Sequence, residues 1–379
     1  MCSSDLSGGV NQAEAASGGG TPLTLTLPAG AVANDVVTSV ITKPDGSRLV
    51  LTTVLSPTDI TAGSITQLIT SAELAPDGQY AISSLITDTA GNSGAAVTGS
   101  FTLDTKAPSQ PTVTLPEASF GVNNAEALSS SGTPIVVTIP VDARPGDTIR
   151  VVVTKPDNST VTLTDYVLLS TDLPPAQGGT ATGSGPYQVT RVIPTADLAA
   201  DGSYSTSTTV IDVAGNTSNA AVATFNVDRT APATPTAAPD MTAATDSGSS
   251  QSDNLTADST PNFAIASLPA DATGAVLLVN GVVVPASLST DANGNTVLTP
   301  NTPLADGSYT ISYALVDAAG NQSVASPTLS VTIDTTPPAQ PAAPDLLAAS
   351  DTGSSSSDDL TFNITPTFRA PRSEEHTSE

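Results

Sequence analysis

One group of motifs occurs three times in this 379-residue chain, in the same order each time. Each copy contains DG-x-Y, then D-x-A-G-N eight residues after the tyrosine, then a short apolar segment ending in an aspartate that prolines follow. The copies begin at Asp77, Asp201 and Asp306. A repeat of this period predicts an array of similar domains. Such an array is typical of a spacer or a ladder of binding surfaces rather than of an enzyme.

The distances between copies give the domain organisation. Asp77 and Asp201 are 124 residues apart, and Asp201 and Asp306 are 105 residues apart, close to the size of an immunoglobulin-type sandwich. A fourth copy only begins, because residues 345–368 parallel residues 240–263. The predicted domains are repeat modules at 10–107, 108–231 and 232–337 and a truncated fourth module at 338–368, between tails at 1–9 and 369–379.

Both tails differ from the modules. They match neither type of module start, and they hold the single cysteine, Cys2, and the single histidine, His376. Their sequences resemble translated sequencing adapters, so we interpret both as non-native and leave them out of the functional argument.

The pattern between the motifs is β throughout. Val, Leu, Ile and Thr alternate or cluster between Pro and Gly residues in 21–28, 133–140 and 274–285. Three pairs of strands are predicted to form hairpins through a KPDG turn, a KPDN turn and the pair Asn280-Gly281. No segment shows a convincing helical period with caps. The predicted fold class is all-β, with tandem immunoglobulin-like antiparallel β-sandwiches in an extended array.

Two local features refine this fold. A tyrosine near the start of the penultimate strand of a sandwich hydrogen-bonds back over the preceding corner, and Tyr80, Tyr204 and Tyr309 occupy that position. The second module is longer than the first by about twelve residues, which fall within 168–189. That segment is rich in Pro and Gly and is predicted to be a lengthened surface loop.

Composition excludes several functions. The net charge is −26 with a pI near 4.1, which argues against binding nucleic acid or anionic membranes. Because the modules contain no Cys or His, they have no internal disulfide, no tetrahedral zinc site and no Cys- or His-based catalysis. Their aspartates lie in solvated turns, whereas glycoside hydrolysis needs an acid in an apolar pocket. We therefore predict that the chain is not an enzyme.

The aspartates have two interpretations. Asp is a good turn former and keeps a surface soluble, but its oxygens also bind hard cations such as calcium. The last strand of a sandwich ends at the pole opposite its own D-x-A-G-N loop, so that strand end is predicted to lie near the loop of the next module. The predicted calcium ligands are Asp104, Asp212 and Asn216 at one joint, Asp228, Asp317 and Asn321 at the next, and Asp88, Asn92 and Asp334 as weak half-sites. Stiffening by the prolines after each linker aspartate is the alternative source of rigidity.

The repeated motifs resemble those of bacterial immunoglobulin-like repeats in very large surface adhesins of the biofilm-associated and repeats-in-toxin types. The resemblance covers roughly residues 10–368 and is carried by the three repeated motifs, by V-N-x-A-E at 10–14 and 122–126, and by GTP and KPD motifs in the first two modules. It implies a structural extender, or stalk, with calcium near module junctions, secreted or on a bacterial surface, that supports cell adhesion and biofilm formation. The partners are then neighbouring repeats and calcium. The alternative is that the modules themselves bind glycan or protein ligands.

Overall fold

A computed structural model describes residues 9–116, 121–129, 132–182 and 185–369. Most of both predicted tails, with Cys2 and His376, lies outside these residues. Strands hold 39% of the residues and helices 8%, and the sheets are almost wholly antiparallel, so the predicted all-β sandwich class is confirmed. Contacts divide the chain into two units, Met1–Pro232 with Val316–Gln322, and Ala233–Leu315 with Ser323–Glu379. Each unit is described by itself.

The first module contains six strands in two sheets. In chain order they are β1 Gly20–Thr26, β2 Val36–Thr42, β3 Arg48–Val54, β4 Ser64–Thr70, β5 Gly78–Thr87 and β6 Val97–Leu103. β1 pairs with β4, and the other sheet has the order β3-β2-β5-β6. Residues of β2 alternate between buried and partly buried, as a strand with one face on a core requires. The predicted β2–β3 hairpin is confirmed, and its turn places Gly46 at φ +81°.

In its described residues, the second module contains eight strands in two sheets. They are β7 Thr112–Thr114, β8 Thr133–Thr138, β9 Thr148–Thr154, β10 Thr160–Thr162, β11 Tyr166–Val167, β12 Gln188–Ile193, β13 Gly202–Ile211 and β14 Ala221–Val227. One sheet has the order β12-β8-β7, and the other has the order β10-β9-β13-β14 with β11 also paired to β9. The predicted β9–β10 hairpin is confirmed, with Asn158 at φ +64° in its turn.

The first unit contains short helices with caps, although the sequence shows no convincing helical period. The α-helices are α1 Gln12–Ala16, α2 Pro57–Ala62 and α3 Asn124–Ala127; single 3₁₀ turns lie at Ser17–Gly19, Ser71–Glu73, Ser170–Asp172, Pro175–Gln177 and Thr195–Asp197. α1 begins with a capping box in which Asn11 accepts from the Glu14 N–H and Glu14 accepts from the Asn11 N–H. A helix of a single capped turn is too short to show a repeating pattern of apolar residues, so the hydrophobic periodicity of the sequence does not indicate it. Among the described residues, no helix is long and apolar enough to span a membrane.

The second unit contains the sheets of the third module and, after it, one antiparallel pair of two-residue strands. Its strands are β15 Asp240–Met241, β16 Leu255–Thr256, β17 Phe263–Ile265, β18 Gly274–Val279, β19 Val282–Val284, β20 Ala286–Thr290, β21 Thr296–Pro300, β22 Gly307–Val316, β23 Leu329–Ile333, β24 Asp345–Leu346 and β25 Phe368–Arg369. The sheet orders are β15-β17-β21-β20 and β16-β23-β22-β18-β19, and β24 pairs with β25. The predicted Asn280-Gly281 hairpin is confirmed, with both residues at positive φ.

Three separate apolar cores are present, each within one module. In the first module Tyr80 stacks on Phe101 with ring centroids 4.8 Å apart, and in the second Tyr204 stacks on Phe225 at 5.4 Å. Apolar burial of this kind is the main favourable contribution to folding. The buried residues of each core come from one module.

All three predicted tyrosine corners are confirmed. Each hydroxyl donates a hydrogen bond to the backbone carbonyl four residues earlier: Tyr80 to Pro76 at 3.1 Å, Tyr204 to Ala200 at 2.9 Å, and Tyr309 to Ala305 at 2.9 Å. The first two tyrosines are fully buried, whereas Tyr309 is only partly buried.

In the first two modules, a segment near the start of the module lies beside its last strand and runs parallel to it. Val10 forms a parallel bridge with Leu103, and its carbonyl accepts from the Asp104 N–H at 3.0 Å. The second module repeats this arrangement with Val122 and Asp228. These bonds place the linker aspartate of a module next to the first residues of the same module.

The inserted segment of the second module differs from the predicted surface loop. Leu168 and Leu173 are almost completely buried in the core, and the Gln177 side chain donates to the Pro140 carbonyl at 2.8 Å. The insertion therefore packs onto the sandwich. Many of its other described residues are exposed, so it is a surface segment that Leu168, Leu173 and Gln177 anchor to the sandwich.

Candidate functional site

The D-x-A-G-N loop is a closed turn held by its own first and last side chains. In the second module the Asp212 carboxylate accepts from the Asn216 N–H at 2.8 Å and from the Asn216 side-chain amide at 2.9 Å. The same pair of bonds joins Asp88 to Asn92 in the first module. Gly215 has φ +99° between them, which favours glycine. The spacing of this motif therefore has a structural cause that applies to every copy.

Asn216 also reaches out of its loop to the end of the first module. Its amide nitrogen donates to the Asp104 carbonyl at 2.8 Å, and its amide oxygen accepts from the Gln12 N–H at 2.9 Å. The Asn11 side chain adds a bond to the Ala214 carbonyl at 3.0 Å. The first N–H groups of a helix have no partner within it, so Asn216 satisfies one of them at the start of α1. We call Asn216 with Asp104 and Gln12 the joint clamp.

A second copy of the clamp occurs around Asn321, in the loop that belongs to the first unit. The Asn321 amide donates to the Asp228 carbonyl at 2.8 Å, and its oxygen accepts from the Asn124 N–H at 2.8 Å. Asp317 closes this loop as Asp212 closes the other. The structure thus brings Asp104 to Asp212 and Asn216, and Asp228 to Asp317 and Asn321.

Four carboxylates line a cleft of about 330 Å³ beside the first clamp. Asp104 and Asp212 were predicted there, and Asp142 and Asp147 join them, together with the cations Lys106 and Arg144. Burial raises the pKa of Asp147 above its usual value, and the nearby charge of Asp212 raises it further.

These oxygens are chemically suited to a hard cation, since calcium takes six to eight oxygen ligands. In the described part of the chain, however, no three His, Cys, Asp or Glu side chains form a group that could hold a metal. The Asn216 oxygen, predicted as a ligand, already accepts the Gln12 N–H. The described carboxylates alone therefore do not form a complete calcium site, and backbone carbonyls would have to supply the remaining oxygens.

The predicted half-sites have their own local bonds. The exposed Asp88 carboxylate accepts from Asn92 and from the Ala90 N–H, and these bonds, first those from the Asn92 side chain, lower its pKa. Asp334 accepts from the Thr336 N–H at 3.0 Å. Within the described residues, no bond outside the loop is formed by the Asp88 or Asn92 side chains.

The aspartate of each DG-x-Y motif holds the linker, a role that the sequence did not indicate. Asp201 accepts from Arg229 Nε at 3.0 Å and from the Thr230 hydroxyl at 2.8 Å. Asp306 accepts from Thr335 and Thr336 in the same way. Hydrogen bonds from the Arg229 side chain, and then from Thr230, lower the pKa of Asp201. The two residues after a linker aspartate are thereby fixed to the corner of their own module.

Asn11, Gln12, Asp142 and Asp147 are site residues that sequence reasoning missed. Asn11 and Gln12 lie in the V-N-x-A-E motif, which had served only as a marker of the repeat. Asp147 was missed because it has the form of an ordinary turn aspartate, whose carboxylate accepts from the Arg144 N–H at 2.7 Å.

Comparisons with known proteins agree with this architecture. Family models described as bacterial Ig-like domain match residues 32–105 and residues 232–335. No curated protein matches the chain.

Several solved adhesin structures are similar to it. A 1.5-MDa bacterial ice-binding adhesin is 23% identical, with 86% of this chain and 92% of that chain covered and a TM-score of 0.33. A Ca²⁺-stabilized adhesin of an Antarctic bacterium is 24% identical, covering 86% and 70%, with a TM-score of 0.36. A tetra-tandem repeat from the extending region of a large adhesion protein is 18% identical, covering 83% and 70%, with a TM-score of 0.26. From the family matches, the sandwich sheets and the tyrosine corners together, we conclude that the first and third modules contain bacterial Ig-like domains.

Proposed function

We propose that this chain is a stalk segment of a large bacterial adhesin, exposed at the cell surface or secreted, which holds a distant binding region away from the cell. The observation that carries the proposal is the joint clamp. A residue of one module's loop, Asn216, bonds to both the last strand end and the first helix of the preceding module, through Asp104 and Gln12. Such bonds give neighbouring modules a defined relative orientation, which a spacer requires.

The chemistry of the molecule supports a passive role. Each module closes its own core, and the polar groups at the joint are held in hydrogen bonds between backbone and side chains. Support for cell adhesion and biofilm formation then follows from reach and stiffness. No chemical reaction is required of these modules.

Calcium is the proposed structural cofactor of the joint. Asp104 and Asp212 are the proposed carboxylate ligands at the first clamp, because both line the cleft, and backbone carbonyls would complete the set. Asp142 and Asp147 line the same cleft and add to its negative charge. A bound cation would supply the positive charge that offsets repulsion between these carboxylates. Asp228 and Asp317 are the proposed counterparts at the other clamp. Asp88, Asn92 and Asp334 are expected to bind calcium weakly, because each has only part of such a set.

The alternative of a ligand-binding module has less support. The inserted segment of the second module was the one feature that favoured it, because it breaks the repeat on a surface. That segment is anchored by the buried Leu168 and Leu173 and by Gln177, so its length has a packing role.

Small-angle X-ray scattering of the whole chain tests the stalk. Strands of about 7–10 residues at ~3.3 Å per residue span roughly 25–35 Å, so three modules in a row should reach on the order of 100–130 Å. We expect a long particle in calcium, with greater flexibility in chelator. A compact particle in both conditions would refute the stalk, and an equally stiff particle in both would assign the stiffness to the clamp and the prolines without calcium.

A further inference from the structure

The D-x-A-G-N loop of the first module has the same conformation as the other two, but it is exposed. The other two are occupied, in that each binds the end of the preceding module. Asp88 and Asn92 form the same internal bonds as Asp212 and Asn216. Asn216 is 6% exposed because the end of the first module covers it, whereas Asn92 lies in an exposed loop. The first loop is therefore already folded in the conformation that accepts a partner in the other two.

The two occupied loops define what that partner presents. In both, the asparagine amide donates to the carbonyl of a linker aspartate, at 2.8 Å in each case. In both, its oxygen accepts from the N–H of the first residue of a short helix, Gln12 or Asn124. That residue follows the asparagine of V-N-x-A-E, which caps the helix. The partner surface is thus the end of a module whose sequence begins with V-N-x-A-E.

The third module does not present this surface, although its chain follows the same course. The Asp334 N–H donates to the Thr256 carbonyl, as the Asp104 N–H donates to the Val10 carbonyl. The residues after Thr256 are Ala257, which has no side-chain donor, and Asp258. The Asp258 N–H, which corresponds to that of Gln12, already donates to the Thr256 hydroxyl at 3.0 Å. The first module offers two donors to the next loop, the Asn11 side chain and the Gln12 N–H. This type of module has neither donor free.

We propose that the Asp88–Asn92 loop is a docking site for the end of another module that begins with V-N-x-A-E, and that it discriminates against ends of the type found in the third module. The proposal deepens the stalk function and rests on it for the nature of the partner. Its chemical basis is a pair of hydrogen bonds to one side-chain amide, which donates one through its nitrogen and accepts the other through its oxygen. A module that offers a carbonyl and a free N–H can satisfy both, whereas a module without the N–H leaves the Asn92 oxygen without that bond.

An extended chain tests the proposal. Residues 9–120 are added again ahead of Gly9, which places a second V-N-x-A-E module end before the Asp88–Asn92 loop in the register of the natural repeat. Hydrogen exchange is then measured in chelator at the Gln12 amide of the added copy and at the original Gln12 amide, which binds Asn216. We expect both amides to be protected. Asn92→Ala in the original first module should accelerate exchange about tenfold at the added Gln12 alone. Asn216→Ala should accelerate exchange at the original Gln12 alone.

A specificity variant completes the test. Changing Val10, Asn11 and Gln12 of the added copy to the Thr-Ala-Asp found at 256–258 should abolish the effect of Asn92→Ala on exchange at that position. Equal exchange at the added Gln12 with and without Asn92→Ala, while the original joint stays protected, would overturn the docking site. If core amides such as Ile82 show that the added copy is unfolded, a copy of residues 121–228 joined through 105–120 replaces it, and the corresponding Asn124 amide decides. Small-angle X-ray scattering of the original chain tests the stalk function independently of the docking site.

Discussion

The side-chain amide of Asn216 donates a 2.8 Å hydrogen bond to the backbone carbonyl of Asp104, which lies 112 residues earlier in the chain. The same side chain closes its own loop through Asp212 and accepts from Gln12. One asparagine therefore connects the last strand of the first module, its first helix and the second module. A residue with one acceptor and two donors in a plane is suited to this position, because each group receives a partner.

Removing the clamp should weaken the first unit without unfolding a core. Asn216→Ala removes the bonds to the Gln12 N–H and to the Asp104 carbonyl, and a typical hydrogen bond contributes about 0.5–1.5 kcal/mol. Asn92→Ala is the matched control, since it removes the same intraloop bond in a loop that is exposed. In urea denaturation followed by circular dichroism, Asn216→Ala should lower stability more than Asn92→Ala. Equal losses would contradict a role for the clamp.

The raised pKa of Asp147 predicts a pH dependence of the second module in chelator. A carboxyl whose pKa is higher in the folded state contributes stability below its unfolded pKa of about 3.9, and this contribution is lost as pH rises through the raised folded pKa. Asp147→Asn should remove this loss, because an amide keeps the bond to Arg144 and carries no charge. The difference in melting temperature between wild type and Asp147→Asn should therefore grow from pH 3.5 to 7.5.

Calcium should reverse that difference if the cleft binds it. At neutral pH, added calcium is expected to raise the melting temperature of the wild type and to raise that of Asp147→Asn less, since one negative charge of the cleft is gone. Extracellular calcium modules bind at about 10⁻⁴–10⁻³ M, which sets the range of a calorimetric titration. The double variant Asp104→Ala with Asp212→Ala should lose the heat of the first joint and keep that of the proposed site at Asp228 and Asp317. Heat of the wild-type size in that variant would exclude these residues as ligands.

Asp201 should show the opposite pH dependence. Its pKa is lowered by hydrogen bonds from Arg229 and Thr230, so its contribution to stability is present above the unfolded pKa and is lost as pH falls through the lowered folded value. The protection factor of the Arg229 amide, which donates to Asp201 at 3.2 Å, should fall in acid in the wild type, and Asp201→Asn should show the lower protection factor already at neutral pH. An unchanged protection factor in the variant would show that the linker is held by other contacts.

The tyrosine corners should differ in energetic weight. Tyr204→Phe removes the bond to the Ala200 carbonyl from a fully buried ring, and a hydrogen bond of this kind contributes about 0.5–1.5 kcal/mol. Tyr309→Phe removes the same bond from a ring that is only partly buried, so water replaces it at a smaller cost. Denaturation of the two variants should rank Tyr204→Phe as the more destabilising, and the reverse order would refute this account.

The sequence predicted those features whose determinants lie within one motif. The hairpins followed from Asp-Gly and Asn-Gly turns, and the tyrosine corners followed from a fixed spacing in each copy. The approach of Asp104 to the loop at Asp212 followed from sandwich topology, and the structure brings the two together. The functional meaning of that approach, calcium binding, stays a prediction.

Other features depended on contacts that no local pattern records. Gln12 meets Asn216 across 204 residues of sequence, and nothing about a glutamine after V-N indicates that its backbone is the group in use. Asp147 is buried by the rest of its turn and by the residues around that turn, and no local sequence pattern identifies these contacts. Leu173 entered a core from a segment whose Pro and Gly content favours exposed loops, because burial of two leucines outweighed that tendency.

The parallel bridge between Val10 and Leu103 determines how the first module responds to pulling. Because the chain at Val10 runs parallel to the last strand, β6, pulling on the two ends of the module moves Val10 and Leu103 in opposite directions along that strand. Tension applied through the two ends then acts along the strands, and it loads the Val10–Thr102 and Asp104–Val10 bonds in shear at the same time. Bonds loaded together resist more force than bonds opened one after another, so the sandwich itself is built to stay closed while a tether is stretched.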